Sequence, residues 1–217
     1  MNNINLESAS EMHMACVFLI DTSKSMQAFQ LSAINDALAK FKLDITKDKM
    51  LREVLDIAVV EFNSSVNVVQ EFLPVKHMIQ INFAGGDGTV MSPAIQKAID
   101  LVTERLNLYR RMGVPFYKPW VILVSGSVPE DDTTDIAQVV KQLEQQGRIQ
   151  MISLGVENYD SQTLHCLSGS KVMKAKEYDF TSFFDWVNKS MYEMSDDVTS
   201  DYEISDDATD EAFSGWM

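Results

Sequence analysis

The chain has 217 residues, a length that suits one α/β domain, and 46% of them are apolar, enough to form a sizeable core. The formal net charge of −14 disfavours binding to nucleic acid or to an acidic membrane surface, because phosphates would meet like charge. Eight acids and no base lie between residues 195 and 217, so the rest of the chain carries a charge of only −6.

The first 13 residues form a polar segment that we expect to be frayed. This segment lacks the charged start and the long apolar stretch of a signal peptide, and the apolar run at 15–20 is too short to span a membrane. We therefore expect a cytoplasmic protein. Cys16 and Cys166 have neither metal-binding nor redox spacing, and Cys16 is predicted to be a reduced core thiol.

Three strands and a helix are predicted in the first third of the chain. Residues 15–20 form a continuous apolar run ending at Asp21, which is typical of a central strand buried on both faces. Residues 54–62 and 66–72 are predicted strands, and the turn at 63–65 favours an antiparallel hairpin at the sheet edge. A helix after Asp21 is predicted from apolar residues at helical spacing: Met26, Phe29, Leu31, Ile34, Leu38 and Phe41.

The remainder of the chain alternates helices and strands. A glycine-rich loop at 84–88 precedes a helix predicted to begin at Pro93 and to end at Gly113. Further strands are predicted at 120–124, 149–154 and 171–174, and further helices at 134–146, 160–167 and 182–194. The alternation predicts an α/β, doubly wound Rossmann-like fold with a mostly parallel sheet, one antiparallel edge strand and helices on both faces.

The predicted organisation has three parts: a polar segment at 1–13, a domain at 14–195 and an acidic tail at 196–217. The tail is expected to be disordered, because it holds too little apolar surface to offset the entropy of ordering.

Oxygen-bearing residues follow the first predicted strand. Asp21, Ser23 and Ser25 have the pattern Asp-x-Ser-x-Ser, and Thr89 follows the glycine-rich loop. In a doubly wound sheet these positions are expected to meet at the edge where the parallel strands end. A carboxylate with several hydroxyls suits a hard cation, so Mg²⁺ is predicted, with Mn²⁺ or Ca²⁺ as alternatives. The alternative is that a serine only caps the following helix.

These residues resemble the metal-ion-dependent adhesion site (MIDAS) of von Willebrand factor A (VWA) domains, and the resemblance covers residues 15 to about 200. The chain looks most similar to the bacterial TerY/YegL branch, which is associated with tellurium resistance. The motifs that point to this branch are Arg105-x-x-x-Tyr109-x-x-x-Gly113, Lys118-Pro119-Trp120, Pro129-x-Asp131 and Phe183-Phe184-x-Trp186-x-x-x-Ser190. The resemblance implies one bound divalent cation, a protein-docking role, and partner kinase and phosphatase proteins in a stress-response system.

One position departs from the family pattern. The family's third motif usually has an Asp before glycine at the end of the fourth buried strand, and Ser125 stands there in this chain. The lost negative charge is expected to weaken ion binding, and Glu130 or Asp131 on the next loop is a candidate replacement. A working site of lower affinity and a site without metal both stay open.

The predicted function is a metal-dependent protein-binding module that is not an enzyme. A partner is expected to offer a carboxylate, or as second choice a phosphate, to the cation, and the residues predicted to border it are Lys24, Asp87, Glu130 and Asp131. The alternatives are a metal-free scaffold and a phosphatase of the haloacid dehalogenase type. The phosphatase needs a second acid two residues after Asp21, where Ser23 stands.

Overall fold

The structure is a computed structural model that describes residues 10–176 and 178–196, in which six strands form one sheet of order β3-β2-β1-β4-β5-β6. The strands are β1 (Met14–Asp21), β2 (Leu55–Phe62), β3 (Val66–Pro74), β4 (Trp120–Ser125), β5 (Gln150–Gly155) and β6 (Val172–Lys174). The helices are α1 (Ala28–Ile45), α2 (Leu51–Val54), α3 (Met91–Met112), α4 (Thr134–Gln145), α5 (Ser161–Ser168) and α6 (Phe180–Asp196), with a 3-10 turn at Val75–His77.

The sheet is parallel except at one edge. Strand β1 pairs in parallel with β2 and β4, β4 with β5, and β5 with β6, whereas β3 is antiparallel to β2. The hairpin between β2 and β3 shifts register twice between Ile57 and Val60. The α/β fold class predicted from the alternating pattern is therefore confirmed, including the antiparallel edge strand.

Every residue of β1, β4 and β5 is buried, because helices cover both faces of the sheet. Helices α1 and α6 pack on one face, where Phe18 of β1 makes edge-to-face contacts with Phe41 and Phe184. Helices α3, α4 and α5 pack on the other face and form a second apolar core. We name the edge where β1, β4 and β5 end the carboxyl edge, and the edge where they begin the amino edge.

Helix α1 begins later than its apolar pattern predicts. The side-chain oxygen of Gln30 accepts a hydrogen bond from the backbone N–H of Gln27 at 2.7 Å and fixes the start of the helix at Ala28. Met26 is buried before the helix begins. Phe29 was expected on the buried face, but it is 49% exposed, because it packs against Tyr178 at the carboxyl edge and not against the sheet.

A buried polar cluster lies at the amino edge, where the sequence predicted none. The carboxylate of Asp56 on β2 is 2.6 Å from Nη2 of Arg105 and accepts a hydrogen bond from the hydroxyl of Tyr109. His13 lies 3.4 Å from the same carboxylate and is fully buried, although it falls in the segment expected to be frayed. Burial and the negative charge of Asp56 raise the pKa of Tyr109 well above its usual range. Burial opposes the charge of Arg105, but Asp56 outweighs it and the pKa of Arg105 is raised.

Residues 1–9, most of the segment predicted to be frayed, lie outside the described residues. The acidic tail predicted from residue 196 onward begins at the last residue of α6, and residues 197–217 are outside the described residues. Among the helices of the described part, none has both the length and the apolar character needed to cross a membrane.

Candidate functional site

The carboxyl edge opens where the chain changes direction across the sheet. From β1 the chain proceeds to β2 on one side and reaches β4 on the other, so the loops that leave β1 and β4 diverge. Ile20 pairs with Val124, and the next residue of each strand is Asp21 and Ser125. Side chains from both strands therefore meet at this switch point.

The carboxylate of Asp21 is completely buried and accepts four hydrogen bonds. Its Oδ1 atom accepts from the backbone N–H of Ser23 at 2.8 Å. Its Oδ2 atom accepts from the hydroxyl of Ser125 at 2.8 Å, the backbone N–H of Gly126 at 3.2 Å and the hydroxyl of Ser127 at 2.5 Å. These donors compensate much of the cost of burying the charge, and no ion pair of Asp21 is found in the described residues.

Sequence reasoning missed Ser127, although it makes a shorter bond to Asp21 than Ser125 does. The missed signal is the spacing of Ser125-Gly126-Ser127, which repeats the alternate serines of the first motif. A Cβ at Gly126, between them, would lie 2.6 Å from the sulfur of Met26, so a larger residue there would displace the Met26 side chain. Both hydroxyls donate to the carboxylate, and the Ser125 oxygen also accepts a long hydrogen bond from the Ser127 N–H at 3.5 Å, so each hydroxyl oxygen keeps acceptor capacity for another group.

The hydroxyl of Ser23 is the unexplained atom of the site. Ser23 is 2% exposed, and its Oγ has no hydrogen-bond partner in the described structure. A buried polar atom left unsatisfied costs about 1–3 kcal/mol, so native structures rarely keep one without a reason. The following turn, closed by the bond from Met26 N–H to Ser23 C=O at 2.9 Å, leaves Lys24 and Ser25 exposed at the edge.

Backbone contacts hold the glycine-rich loop against the carboxyl edge. Gly86 N–H donates to Thr22 C=O at 2.7 Å, and Val90 N–H donates to Asn63 C=O at 2.8 Å. A Cβ at Gly86 would lie 2.4 Å from Nδ2 of Asn63, so this close approach requires glycine. Thr89 is brought to the edge by these bonds and is 4% exposed, but no hydrogen bond joins it to Asp21 in the described residues.

The two acids proposed to replace the missing aspartate have different positions. The carboxylate of Asp131 accepts the N–H groups of Met91 and Ser92, each at 2.7 Å, and so caps the start of α3. This cap explains why α3 begins at Met91 and not at Pro93, and it gives Asp131 a structural role that the sequence did not predict. Glu130 is exposed, and its carboxylate lies beside Gly88 in the loop before Thr89.

An aromatic pair and two strained residues border the same edge on the side of α1. Phe29 and Tyr178 pack edge to face with centroids 4.9 Å apart. Glu157 and Tyr178 have φ angles of 50° and 63°, a region that residues other than glycine rarely adopt. Gln30 Nε2 donates to Glu157 at 3.0 Å, and desolvation together with a hydrogen bond to Glu157 raises the pKa of Tyr178. No sequence pattern signalled this arrangement, since the start of α1 and the segments around Glu157 and Tyr178 are distant in the chain.

The donor set at the carboxyl edge is poor in charge. In the described residues there is no group of three or more His, Cys, Asp or Glu side chains that could hold a metal ion. Any cation at this edge would therefore depend on one buried carboxylate and on hydroxyl oxygens, a set that suits a hard ion.

Comparison with known proteins identifies the family. A family model described as von Willebrand factor type A domain matches residues 16–189. Among curated proteins, none matches this chain.

Several solved structures share the fold at low identity. The vWF domain of the type V pili tip protein Mfa5 from Porphyromonas gingivalis has a TM-score of 0.63 at 10% identity, covering 91% of this chain and 100% of that one. Manganese-loaded TRAP protein from Plasmodium vivax has a TM-score of 0.56 at 15% identity, covering 79% and 71%. Proximal thread matrix protein 1 from the mussel byssus has a TM-score of 0.60 at 11% identity and covers 82% and 48%, so this chain spans about half of its length.

At these identities the likeness shows the fold alone, and the family model supplies the assignment. Because that model spans most of the chain, the protein belongs to the von Willebrand factor type A domain family.

Proposed function

We propose that this protein is a protein-binding module whose partner contacts a divalent cation, preferably Mg²⁺, at the carboxyl edge. The residues that would hold the ion are Asp21, Ser23, Ser25 and Thr89, with Ser125 and Ser127 beside them. The observation that carries the proposal is the buried hydroxyl of Ser23, which lies next to Asp21 and has no partner in the described structure. A cation would use that oxygen, and manganese-loaded TRAP shows that a protein of the same fold holds such an ion.

The charge of this donor set favours an anionic partner. A divalent ion beside the single carboxylate of Asp21 would keep a local charge near +1, whereas a second aspartate at position 125 would bring it near zero. The group that we expect on the partner is a carboxylate, with a phosphate as second choice. Because the chain is strongly acidic, such a partner would be repelled without the ion, so ion and partner should bind cooperatively.

The biological setting is part of the proposal. The likeness to the TerY/YegL branch favours a bacterial tellurium-resistance or stress-response system with a kinase and a phosphatase as partners. In that setting the chain acts as an adaptor and not as an enzyme. The cytoplasmic location expected from the sequence stays a prediction.

A metal-free scaffold is the second candidate, and one observation favours it. The four donors to Asp21 already compensate its charge, so the carboxylate is stable in the fold without a cation. The phosphatase alternative has less support, since the position two residues after Asp21 holds the uncharged Ser23.

Calorimetric titration with Mn²⁺ separates these functions. We expect one Mn²⁺ site in the native protein and loss of Mn²⁺ binding in Asp21→Asn and Thr89→Ala. The matched control is Thr103→Ala, which removes the same hydroxyl and methyl group from the middle of α3 and should keep Mn²⁺ binding. Proteins captured from the host's lysate should be released by a chelator and recovered with Mg²⁺. Equal Mn²⁺ affinity in all four proteins, or no binding in any, would favour the metal-free scaffold, and turnover of p-nitrophenyl phosphate would favour the phosphatase.

A further inference from the structure

Four cationic side chains gather at the amino edge, on the end of the domain opposite the proposed metal site. Arg110 and Arg111 belong to the last turn of α3, Lys118 lies two residues before β4, and Arg148 lies two residues before β5. The three arginines are exposed and Lys118 is half-buried. We name these four residues the basic cluster.

The sheet register brings the members of the basic cluster together. Trp120 pairs with Gln150, and Gln150 N–H donates to Pro119 C=O at 2.8 Å, so Lys118 and Arg148 approach the sheet on neighbouring strands. Neighbouring strands lie about 4.8 Å apart. On the other side, the guanidinium of Arg110 lies 5.4 Å from the ring centroid of Phe116, two residues before Lys118.

The acids of the described part do not neutralise this cluster. Asp56 is buried against Arg105, Glu144 pairs with Lys171, and Glu193 pairs with Lys189. None of the four cations of the basic cluster forms an ion pair with any acid in residues 10–176 or 178–196. Clustered positive charge attracts anionic groups, and these four cations stand on a chain whose net charge is −14.

The end of α6 delivers such a segment to the amino edge. Met191 and Met194 line one small cavity together with Lys118 and Trp120, so the last turns of α6 lie beside the basic cluster. The 21 residues that follow Asp196 contain seven acids and no base. At roughly 3.3 Å per residue, a segment of this length can reach about 70 Å, far more than the distance across the cluster.

We propose that residues 197–217 bind the basic cluster of their own domain. Exposed ion pairs are individually weak and are screened by salt, but the tether keeps the acids at high effective concentration, so that several weak pairs add up. Bound in this way, the acidic segment covers the amino edge and leaves the carboxyl edge free for the partner.

Paramagnetic broadening in the full-length chain tests this proposal. A nitroxide is placed on the variant Cys166→Ser, Ser214→Cys, in which the remaining thiol, Cys16, is buried. Amide signals of the basic cluster should lose intensity, whereas those at the carboxyl edge should keep it. The loss of signal intensity should disappear in the triple variant Arg110→Glu, Arg111→Glu, Arg148→Glu.

The matched control makes the same change in net charge at three exposed cations on the carboxyl side of the sheet: Lys24→Glu, Lys174→Glu, Lys176→Glu. This variant should keep the broadening. Thermal unfolding checks that both triple variants fold. NaCl at about 1 M, where the screening length falls to about 3 Å, should also abolish the effect.

Three outcomes would overturn the proposal. Intensity loss spread evenly over the domain would show that the segment has no preferred surface. Broadening that survives high salt would show that apolar contacts hold it. Broadening of a nitrogen-15-labelled chain by nitroxide on a separate unlabelled chain would show that the segment binds a second copy and not its own domain.

Discussion

The substitution Ser125→Asp is expected to make the stability of the domain depend on divalent cations. The Ser125 hydroxyl donates to Oδ2 of Asp21 at 2.8 Å, and both side chains are completely buried. An aspartate here would replace this donor with a second anion and place two carboxylates in contact. The change introduces the residue that the MIDAS pattern, which this chain resembles, usually has at the corresponding position.

The size of the effect follows from the separation of the two charges. Two like charges about 4 Å apart repel by about 4 kcal/mol at an effective dielectric constant of 20. For a domain of this size, 1 kcal/mol corresponds to roughly 2–4 °C in Tm, so the metal-free variant should melt about 8–16 °C below the native protein. Lower pH should reduce the loss, since one carboxyl can then take up a proton. A cation at a hundredfold its Kd would return about 2.7 kcal/mol.

Thermal unfolding with a chelator and with Mg²⁺, together with calorimetric titration, measures both effects. The variant should bind Mg²⁺ more tightly than the native protein and should gain more in Tm on adding it. Ser125→Asn is the matched control, because it has the shape of aspartate without the charge and should show neither gain. If the aspartate variant kept native stability in chelator and native Mg²⁺ affinity, residue 125 would not share a site with Asp21 and the ion, and our reasoning would fail.

Three further predictions follow from single side chains. Ser23→Ala should not lower Tm in chelator, since the buried hydroxyl has no hydrogen-bond partner to lose, but it should weaken Mn²⁺ binding. A clear loss of stability without metal would show that the hydroxyl does have a hydrogen-bond partner. Asp56→Ala should lower the free energy of unfolding, measured by urea titration, by about 3–5 kcal/mol, because Arg105 is left buried and unpaired. A change below about 1 kcal/mol would contradict this account. A thiol reagent should modify Cys166 rapidly and Cys16 only on unfolding, because burial raises the pKa of the Cys16 thiol. Rapid modification of both cysteines in the native protein would refute this prediction.

The strands and the position of Asp21 were predictable from the sequence, because an apolar run buried on both faces is a strong local signal. The run at 15–20 predicted β1, and the polar residue that ends it had to lie at the carboxyl edge. The meeting of Asp21 with Ser125 followed from the parallel order of the strands.

Features that depend on contacts between distant segments were not predicted. The burial of His13 requires Asp56 and Tyr109, which approach only when β2 and α3 are in place. A signal did exist, since Asp56 interrupts an apolar strand and a buried charge needs a partner. The capping role of Asp131 and the outward position of Phe29 likewise depend on where helices begin, which apolar spacing alone defines poorly.

Both lateral edges of the sheet resist the addition of another strand. Strand β3 has two register shifts and exposes Asn67 and Glu71, and β6 has only three residues and ends at the exposed Lys174. Bulges, short edge strands and charged side chains prevent the continuous backbone pairing that drives edge-to-edge aggregation. These edges thereby hinder polymerisation through the backbone, and under the proposed binding role the choice of partner is left to side chains, where a single substitution can alter it.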